Sequence, residues 1–480
     1  MHISRRQFLH TTAAAAALSL SRKRLRAQSS SPTGAAVEVK IDSRKPGCTI
    51  PANSMGLSYE AAQLADPTFF SASNKGLIEQ VRALGPRGIL RFGGCLAEFT
   101  NWWDPSVTPQ RPAMTPEMAA GQSRFEWIMV TPSVSRDKYA VLTPESHRQL
   151  RGFLDATGWT CLYGLNLGCG TPGRASLEAA SAVRHLGDRL TAFQIGNEVD
   201  HFNSWKRPRS WNFDSYWNEY TTFVKTIRAR TPSARFAGPD AANRVEWVQQ
   251  YAEHAQRDTV LLTSHYYRMG PANAPGINNE LLLTPNPLLP PRIAAVMAVT
   301  KVADVPYRAT EVNSCSHGGM KGVSDAFASA LWIADYMLEV GQAGFTGINV
   351  HGGGIEGVYS PIVGDPEVGY TARPITLGMR FANEFSGATF VDCQLDTNGK
   401  NVAGYAARKD GKLLLALFNK TDKPVGIAIN GIAGSGHETI TVLRAPALSS
   451  TSDITFGPLK IHKKLSAIEP YAAVLLRYRE

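Results

Sequence analysis

From about residue 50, short apolar or β-branched runs alternate along the chain with longer stretches in which apolar positions recur every three to four residues. Strands too short to be helices, each followed by an amphipathic helix, are the signature of parallel βα units. Eight such pairs are legible, with strands over 54–59, 88–92, 161–167, 192–196, 235–238, 260–264, 307–310 and 347–351. The matching helices fall at 75–84, 145–157, 175–189, 212–230, 245–257, 290–303, 325–342 and 374–385. Two helix starts carry polar chemistry suited to free N–H groups and the helix dipole, Pro144-Glu145 before the second and Ser324-Asp325 before the seventh. Eight parallel units close a (β/α)8 barrel, and 50–386 are assigned to it. The connection after the second strand, about 95–143, is far longer than an ordinary βα loop and carries Trp102, Trp103 and Trp127, so it is expected over the active-site face.

Beyond residue 387 the pattern switches to period two: 401–407, 413–419, 425–430, 439–444 and 472–478 read as strands between Gly, Asp and Asn turns. A β-sandwich over 387–480 is the expectation. Val37-Glu38-Val39-Lys40-Ile41-Asp42 alternates in the same way ahead of the barrel, so 36–48 is expected to add a strand to that sandwich.

The first 27 residues stand apart. Ser4-Arg5-Arg6-Gln7-Phe8-Leu9 followed by Ala13-Ala14-Ala15-Ala16-Ala17 reads as a twin-arginine export signal, placing the mature chain in the periplasm or outside the cell without a membrane anchor. This reading changes the charge argument. The formal net charge of +10 includes six Lys/Arg from 1–27 (Arg5, Arg6, Arg22, Lys23, Arg24, Arg26) and no acid; 50 less six leaves 44 against 40 acidic residues, or +4. No basic run of nucleic-acid type remains. Six scattered cysteines form no CxxC or Cys/His spacing, so no metal site and no cofactor motif is read.

Ligands of such barrels meet the C-terminal ends of the strands. The fourth predicted strand ends Gln194-Ile195-Gly196-Asn197-Glu198 and the seventh ends Ala309-Thr310-Glu311-Val312-Asn313, and these two strands face each other across the barrel mouth. Paired carboxylates suit glycosidic cleavage, where one group protonates the leaving oxygen while the other attacks or supports an oxocarbenium-like centre. Glu198 is assigned as acid/base and Glu311 as the ionised partner, with Asn197 placed to hold a sugar hydroxyl. Carboxylate separation, which distinguishes retention from inversion, is not readable from sequence.

With Gly56-Leu57-Ser58-Tyr59-Glu60, Ala65-Asp66-Pro67, Leu90-Arg91-Phe92-Gly93-Gly94, Gly196-Asn197-Glu198, Ser264-His265-Tyr266-Tyr267, and Glu311 thirteen residues before Ser324-Asp325, the chain resembles the heparanase and β-glucuronidase family, glycoside hydrolase family 79. The resemblance covers most of the mature chain. It implies a retaining enzyme for β-linked sugars with Glu311 as nucleophile, Glu60 binding sugar hydroxyls, and Tyr266 or Tyr267 beside the nucleophile, with His265 on the same rim segment. It also implies an N-terminal strand completing a C-terminal sandwich. Uronate-cleaving relatives bind the sugar carboxylate with a tyrosine five residues past the nucleophile, a glycine N–H and a later tyrosine. Here those places hold Ser316, then His317 and Gly318, and Tyr359, so one phenol is missing.

An exported β-glucuronidase-like hydrolase is therefore expected, with an oligosaccharide or small glycoside as partner. A neutral or methylated sugar, transglycosylation, and a non-catalytic carbohydrate-binding protein stand as alternatives. Trp102 and Trp103 are further candidates, for stacking on sugar rings. Arg91 reads primarily as a barrel-interior ion pair.

Overall fold

A computed structural model describes residues 35–124, 128, 140–254, 258–352, 357–432, 439–459 and 465–479. Eight parallel strands close a barrel in chain order: Gly56–Glu60, Ile89–Gly93, Thr160–Leu165, Leu190–Ile195, Phe236–Ala241, Thr259–Pro271, Tyr307–Ser316 and Ile348–His351, the last pairing with the first. Their helices are Lys75–Leu84, Pro144–Thr157, Pro172–Leu186, Phe213–Arg230, Val245–Glu253, Leu289–Ala303, Phe327–Ala343 and Ile375–Asn383.

Alternation along each strand sorts the two sides of the barrel wall. Leu57, Tyr59, Leu90, Phe92, Phe193 and Ile195 point outward into the main hydrophobic core with the helices. The inward set is layered. Ile89, Leu162, Ala192, Ala237 and Leu261, one from each of strands two to six, form a small apolar cluster. The remaining arc at that level is filled by Arg308, whose guanidinium donates to the carbonyls of Asn53, Ser54, Met55 and Ile348 and to Asn349. Gly56 leaves the room for it, since a Cβ there would lie 2.6 Å from Arg308 Nη2. Above this layer the inward side chains turn polar: Ser58, Arg91, Gln194, Thr263, His265 and Thr310, all buried. The sixth and seventh strands run past the expected ends at 264 and 310, pairing over Tyr307–Ser316 against 262–271. Polar inward residues at their upper ends interrupt the apolar run from which strand length was read.

Pro144–Thr157 carries Pro144 and Glu145 in its first turn as expected and adds a capping box between Thr143 and Ser146; the start of the seventh helix differs from expectation. Phe327–Ala343 begins after Ala326 without a side-chain cap. Ser324 instead accepts from the Met320 N–H and bonds Ser314, and Asp325 accepts from the Gly322 N–H, so both order the preceding turn.

The C-terminal part is one nine-stranded sheet into which Val37–Thr49 is inserted, antiparallel to Thr389–Asp396 and parallel to Val425–Asn430. Thr389–Asp396, Thr455–Pro458 and Ala467–Ile468 are strands that the alternation had not revealed. The two faces of the sheet have different partners. Leu413, Leu415 and Leu417 pack with Val37, Val39, Ile41, Val425 and Val442 in a separate core, while Leu414, Ala416 and Phe418 join the barrel's helix layer. The sheet thus curls over its own core and docks its other face on the barrel.

Val39 is fully buried between its two neighbouring strands. Val39→Asp places an unpaired carboxylate in that core and is expected to cost more than about 4 kcal/mol. Urea unfolding measures this; an unchanged midpoint would remove the strand's structural role.

Candidate functional site

At the C-terminal end of the barrel the organising group is Arg91, from the second strand and completely buried. Nη1 donates to Glu311 Oε2 at 2.7 Å and to Ser58 Oγ at 3.1 Å; Nη2 donates to Asn197 Oδ1 at 2.6 Å and closely to Asp240; Nε donates to Gln194 Oε1 at 3.3 Å. One guanidinium therefore ties the first, second, fourth, fifth and seventh strands together. The Gly93-Gly94 pair behind it is a packing requirement: a Cβ on Gly93 would fall 2.0 Å from the guanidinium carbon, and one on Gly94 within 2.3 Å of the Glu60 carboxylate.

Glu311 emerges from an irregularity in the seventh strand, where the register shifts between Ala309 and Glu311. The extra residue lets consecutive side chains face inward, Thr310 donating to Asp240 at 2.7 Å and Glu311 meeting Arg91. Tyr267 donates its phenolic O–H to Glu311 Oε1 at 2.7 Å. Burial pushes the Glu311 carboxyl up, but His351, His265, Arg91 and the Tyr267 O–H outweigh it and hold the group down at about 2. Glu311 is a buried carboxylate that stays ionised.

Glu198 follows the fourth strand in left-handed backbone, φ 51°, a region that costs a bulky L-residue energy and that concentrates at functional positions. Its N–H donates to the Asp240 carbonyl at 2.9 Å, and Asn197 Oδ1 accepts from Arg91 and from the Gly94 N–H. Asp240 and His317 are also left-handed, at 62° and 55°.

His265 lies between the two carboxylates. Its Nδ1 is 3.1 Å from Glu198 Oε1 and 3.7 Å from Glu311 Oε2, and Nε2 is 3.2 Å from Asp240 Oδ1. Burial pushes the imidazole down; Glu311, Asp240 and the hydrogen bonds to Asp240 and Glu198 push it up to about 10. The Asp240 carboxyl is in turn held well below the ordinary range, burial opposing and Arg91 and His265 prevailing. Oxygen and nitrogen atoms of Glu198, His265 and Glu311 all lie within 4.8 Å of one another, a spacing that would admit a cation among the described residues.

Glu198 and Glu311 share a cavity of about 290 Å³ with Glu60, Cys95, His201, Trp205, Tyr267, Ser316, His317, His351 and Tyr359, near the lower bound of ligand pockets, roughly 300 Å³. Glu60 is fully buried, accepts the Leu96 N–H at 2.8 Å and lies 3.7 Å from His351 Nε2; burial pushes its carboxyl up. Tyr359 stacks near Tyr267, ring centroids 6.4 Å apart, and its N–H donates to the Gly318 carbonyl at 3.0 Å.

Three expected residues are placed elsewhere. Tyr266 alternates to the outer side of its strand, stacks on Tyr336 at 4.9 Å and accepts from Asn286, so Tyr267 is the neighbour of Glu311. Trp102 is buried and stacked on His147 at 5.0 Å, and Trp103 donates to the Thr108 carbonyl. Both line a second cavity, of about 370 Å³, with Arg111 and Arg174, and neither reaches the carboxylates. Trp127 lies outside the described residues. Sequence reasoning missed Asp240, His351, Cys95, His201 and Trp205. Asp240 and His351 were open to the rule that exposed Glu198 and Glu311, as titratable residues near strand ends.

No profile of a known protein family matches the chain. Over 357 residues it is 23% identical to a β-glucuronidase of Aspergillus niger, a match covering 68% of this chain and 62% of that relative. A β-glucuronidase of Neurospora crassa is 27% identical over 224 residues, 40% of each chain. The chain thus spans less than two thirds of the curated relatives it matches. Among solved structures, a 4-O-α-L-rhamnosyl-β-D-glucuronidase from Fusarium oxysporum superimposes with a TM-score of 0.71 at 16% identity, covering 92% of this chain and 99% of that one. A family 51 α-L-arabinofuranosidase from Bifidobacterium longum does so at 0.68 and 12% identity, covering 94% and 100%. At these identities the solved structures establish the shared barrel-plus-sheet fold.

Because the folded-state pKa of His265 is raised from 6.5 to about 10, its charge contributes stability in full below pH 6.5 and loses that contribution as pH rises through about 10. The melting temperature is expected to fall across this window, and His265→Gln to flatten the fall. An identical alkaline slope in the variant would show that the imidazole is neutral in the fold.

Proposed function

We propose that the protein is a retaining β-glycosidase of the glucuronidase type, with Glu311 as nucleophile and Glu198 as acid/base. The observation that carries this reading is the pairing itself: carboxylate oxygens of Glu198 and Glu311 lie within 4.8 Å. So close an approach of the nearest oxygens accords with the retaining arrangement, in which the two carboxyl groups stand about 5 to 5.5 Å apart, against roughly 6.5 to 9.5 Å where a water must fit between. Glu311, ionised by its surroundings, attacks the anomeric carbon while Glu198 protonates the departing oxygen. A covalent glycosyl ester results. Glu198, now a carboxylate, then takes a proton from the water that cleaves the ester and restores Glu311. Arg91 and Tyr267 hold the nucleophile's two oxygens and aim it, and Asn197 is fixed by the same guanidinium.

The names of the curated relatives support a glucuronide as substrate, and the motif resemblance supports membership of glycoside hydrolase family 79. On this reading Glu60 binds sugar hydroxyls, and Ser316, His317 and Tyr359, which share the cavity with both carboxylates, receive the sugar's C6 carboxylate. The hydroxyl of Ser316 and the imidazole of His317 stand where relatives carry a phenol. Residues 1–27, outside those described, serve as a twin-arginine signal delivering the folded enzyme to the periplasm or beyond. The remaining chain divides into an N-terminal strand over 36–48, a catalytic barrel over 50–386 and a sandwich over 387–480.

Aryl β-glycosides with and without a C6 carboxylate test the reading. The glucuronide is expected to be the preferred substrate, and Glu311→Ala to lower kcat by about 10⁴-fold or more, with added azide trapped as a glycosyl azide of inverted configuration. A fully active Glu311→Ala enzyme would sink the assignment of the nucleophile. Preference for xyloside or glucoside would show instead that Ser316-His317 builds a neutral-sugar pocket.

A further inference from the structure

Glu98 is a third buried glutamate at this end of the barrel, and the chemistry above gives it no task. It sits in the turn Cys95–Phe99 after the second strand, is completely buried, and is not among the residues lining the catalytic cavity. Each of its oxygens accepts one backbone N–H: Oε1 from Asn197 at 2.5 Å and Oε2 from Gly168 at 2.5 Å. A single carboxylate thus fastens the turn after strand two to the segments leaving strands three and four. Burial pushes this carboxyl up to about 7, with the Gly168 and Asn197 N–H groups, then Lys206 and Arg207, pulling it back.

The place of the clamp is what gives it meaning. Asn197 immediately precedes Glu198, whose left-handed backbone is held by a second anchor, the Glu198 N–H to the Asp240 carbonyl. Two consecutive N–H groups are therefore fixed, one by the Glu98 carboxyl group and one by a backbone carbonyl of a neighbouring strand. Gly168 leaves the carboxylate its room, since a Cβ there would meet Glu98 Oε2 at 2.8 Å. The two carboxyl oxygens meet the two N–H donors one to one. An amide in its place accepts one N–H and presents its own N–H2 to the other, leaving a buried donor opposed.

We propose that Glu98 is a positioning residue that fixes the Asn197-Glu198 turn so that Glu198 reaches the leaving-group oxygen. The proposal rests on the reading of Glu198 as acid/base. It assigns Glu98 a specific kinetic signature, because proton delivery matters only where the leaving group needs a proton. A 2,4-dinitrophenolate departs without one, whereas a phenolate of high pKa does not.

The test compares 2,4-dinitrophenyl and phenyl β-glucuronides on the full enzyme, Glu98→Gln and Glu198→Gln. For Glu98→Gln, kcat/KM on the phenyl substrate is expected to fall by about 100-fold, within the range of general acid catalysis, while glycosylation by the dinitrophenyl substrate, read from its burst or kcat/KM, changes by less than about 3-fold. Glu98→Asp keeps the charge, spans only one of the two N–H groups and should give an intermediate loss with the same pattern; it also serves if the glutamine variant does not fold. Equal losses on both substrates in either variant, or no loss on either, would overturn the proposal and leave Glu98 a structural clamp. If the wild type is active but Glu198→Gln itself shows no leaving-group dependence, the assignment of Glu198 fails, and the role of Glu98 with it.

Discussion

The upper half of this barrel is organised around one buried cation. Arg91 has no contact with solvent, and its N–H groups reach Glu311, Asp240, Asn197, Ser58 and Gln194. A buried guanidinium is tolerated only when its charge and donors are matched, and removing one partner of such a set costs several kcal/mol because the other is left uncompensated. The consequence for function is geometric as well as electrostatic. The groups that compensate Arg91 are the nucleophile candidate, the residue preceding the acid/base candidate, and the aspartate that anchors His265.

His265 extends this logic. Three carboxylates, on Glu198, Asp240 and Glu311, converge on two cationic groups, Arg91 and His265. Burial alone would protonate Glu311; the surrounding positive charge reverses the sign and keeps it anionic. The lower barrel solves the same problem differently. There Arg308 is met, among the described residues, by backbone carbonyls and Asn349 and by no carboxylate, and burial pulls its guanidinium down to about 9. One end of the barrel is closed by a structural arginine, and the other is held open around a charged cavity.

What was legible in the sequence follows from which signals are local. Helix and strand order came from apolar periodicity, and Glu198 and Glu311 from their places near strand ends. Strand lengths were underread at the sixth and seventh strands because the interior turns polar above Arg91, so inward residues such as His265 no longer look like core. Choosing between Tyr266 and Tyr267 needed strand parity, which a register shift between Ala309 and Glu311 makes unreliable to extrapolate from neighbouring strands. Trp102 is turned away because His147, 45 residues later, offers it a stacking face. Asp240 and Glu98 act through partners more than 45 residues distant, Arg91 and Asn197, and no local pattern announces that.

The central claim is that two carboxylates with oxygens within 4.8 Å, one of them kept ionised by His351, His265 and Arg91, act by double displacement. The stereochemical course of the reaction tests it most directly. Proton NMR of the sugar released from an aryl β-glucuronide, recorded before mutarotation, is predicted to show the β-anomer first. Initial release of the α-anomer would mean a single displacement by water and would contradict the account.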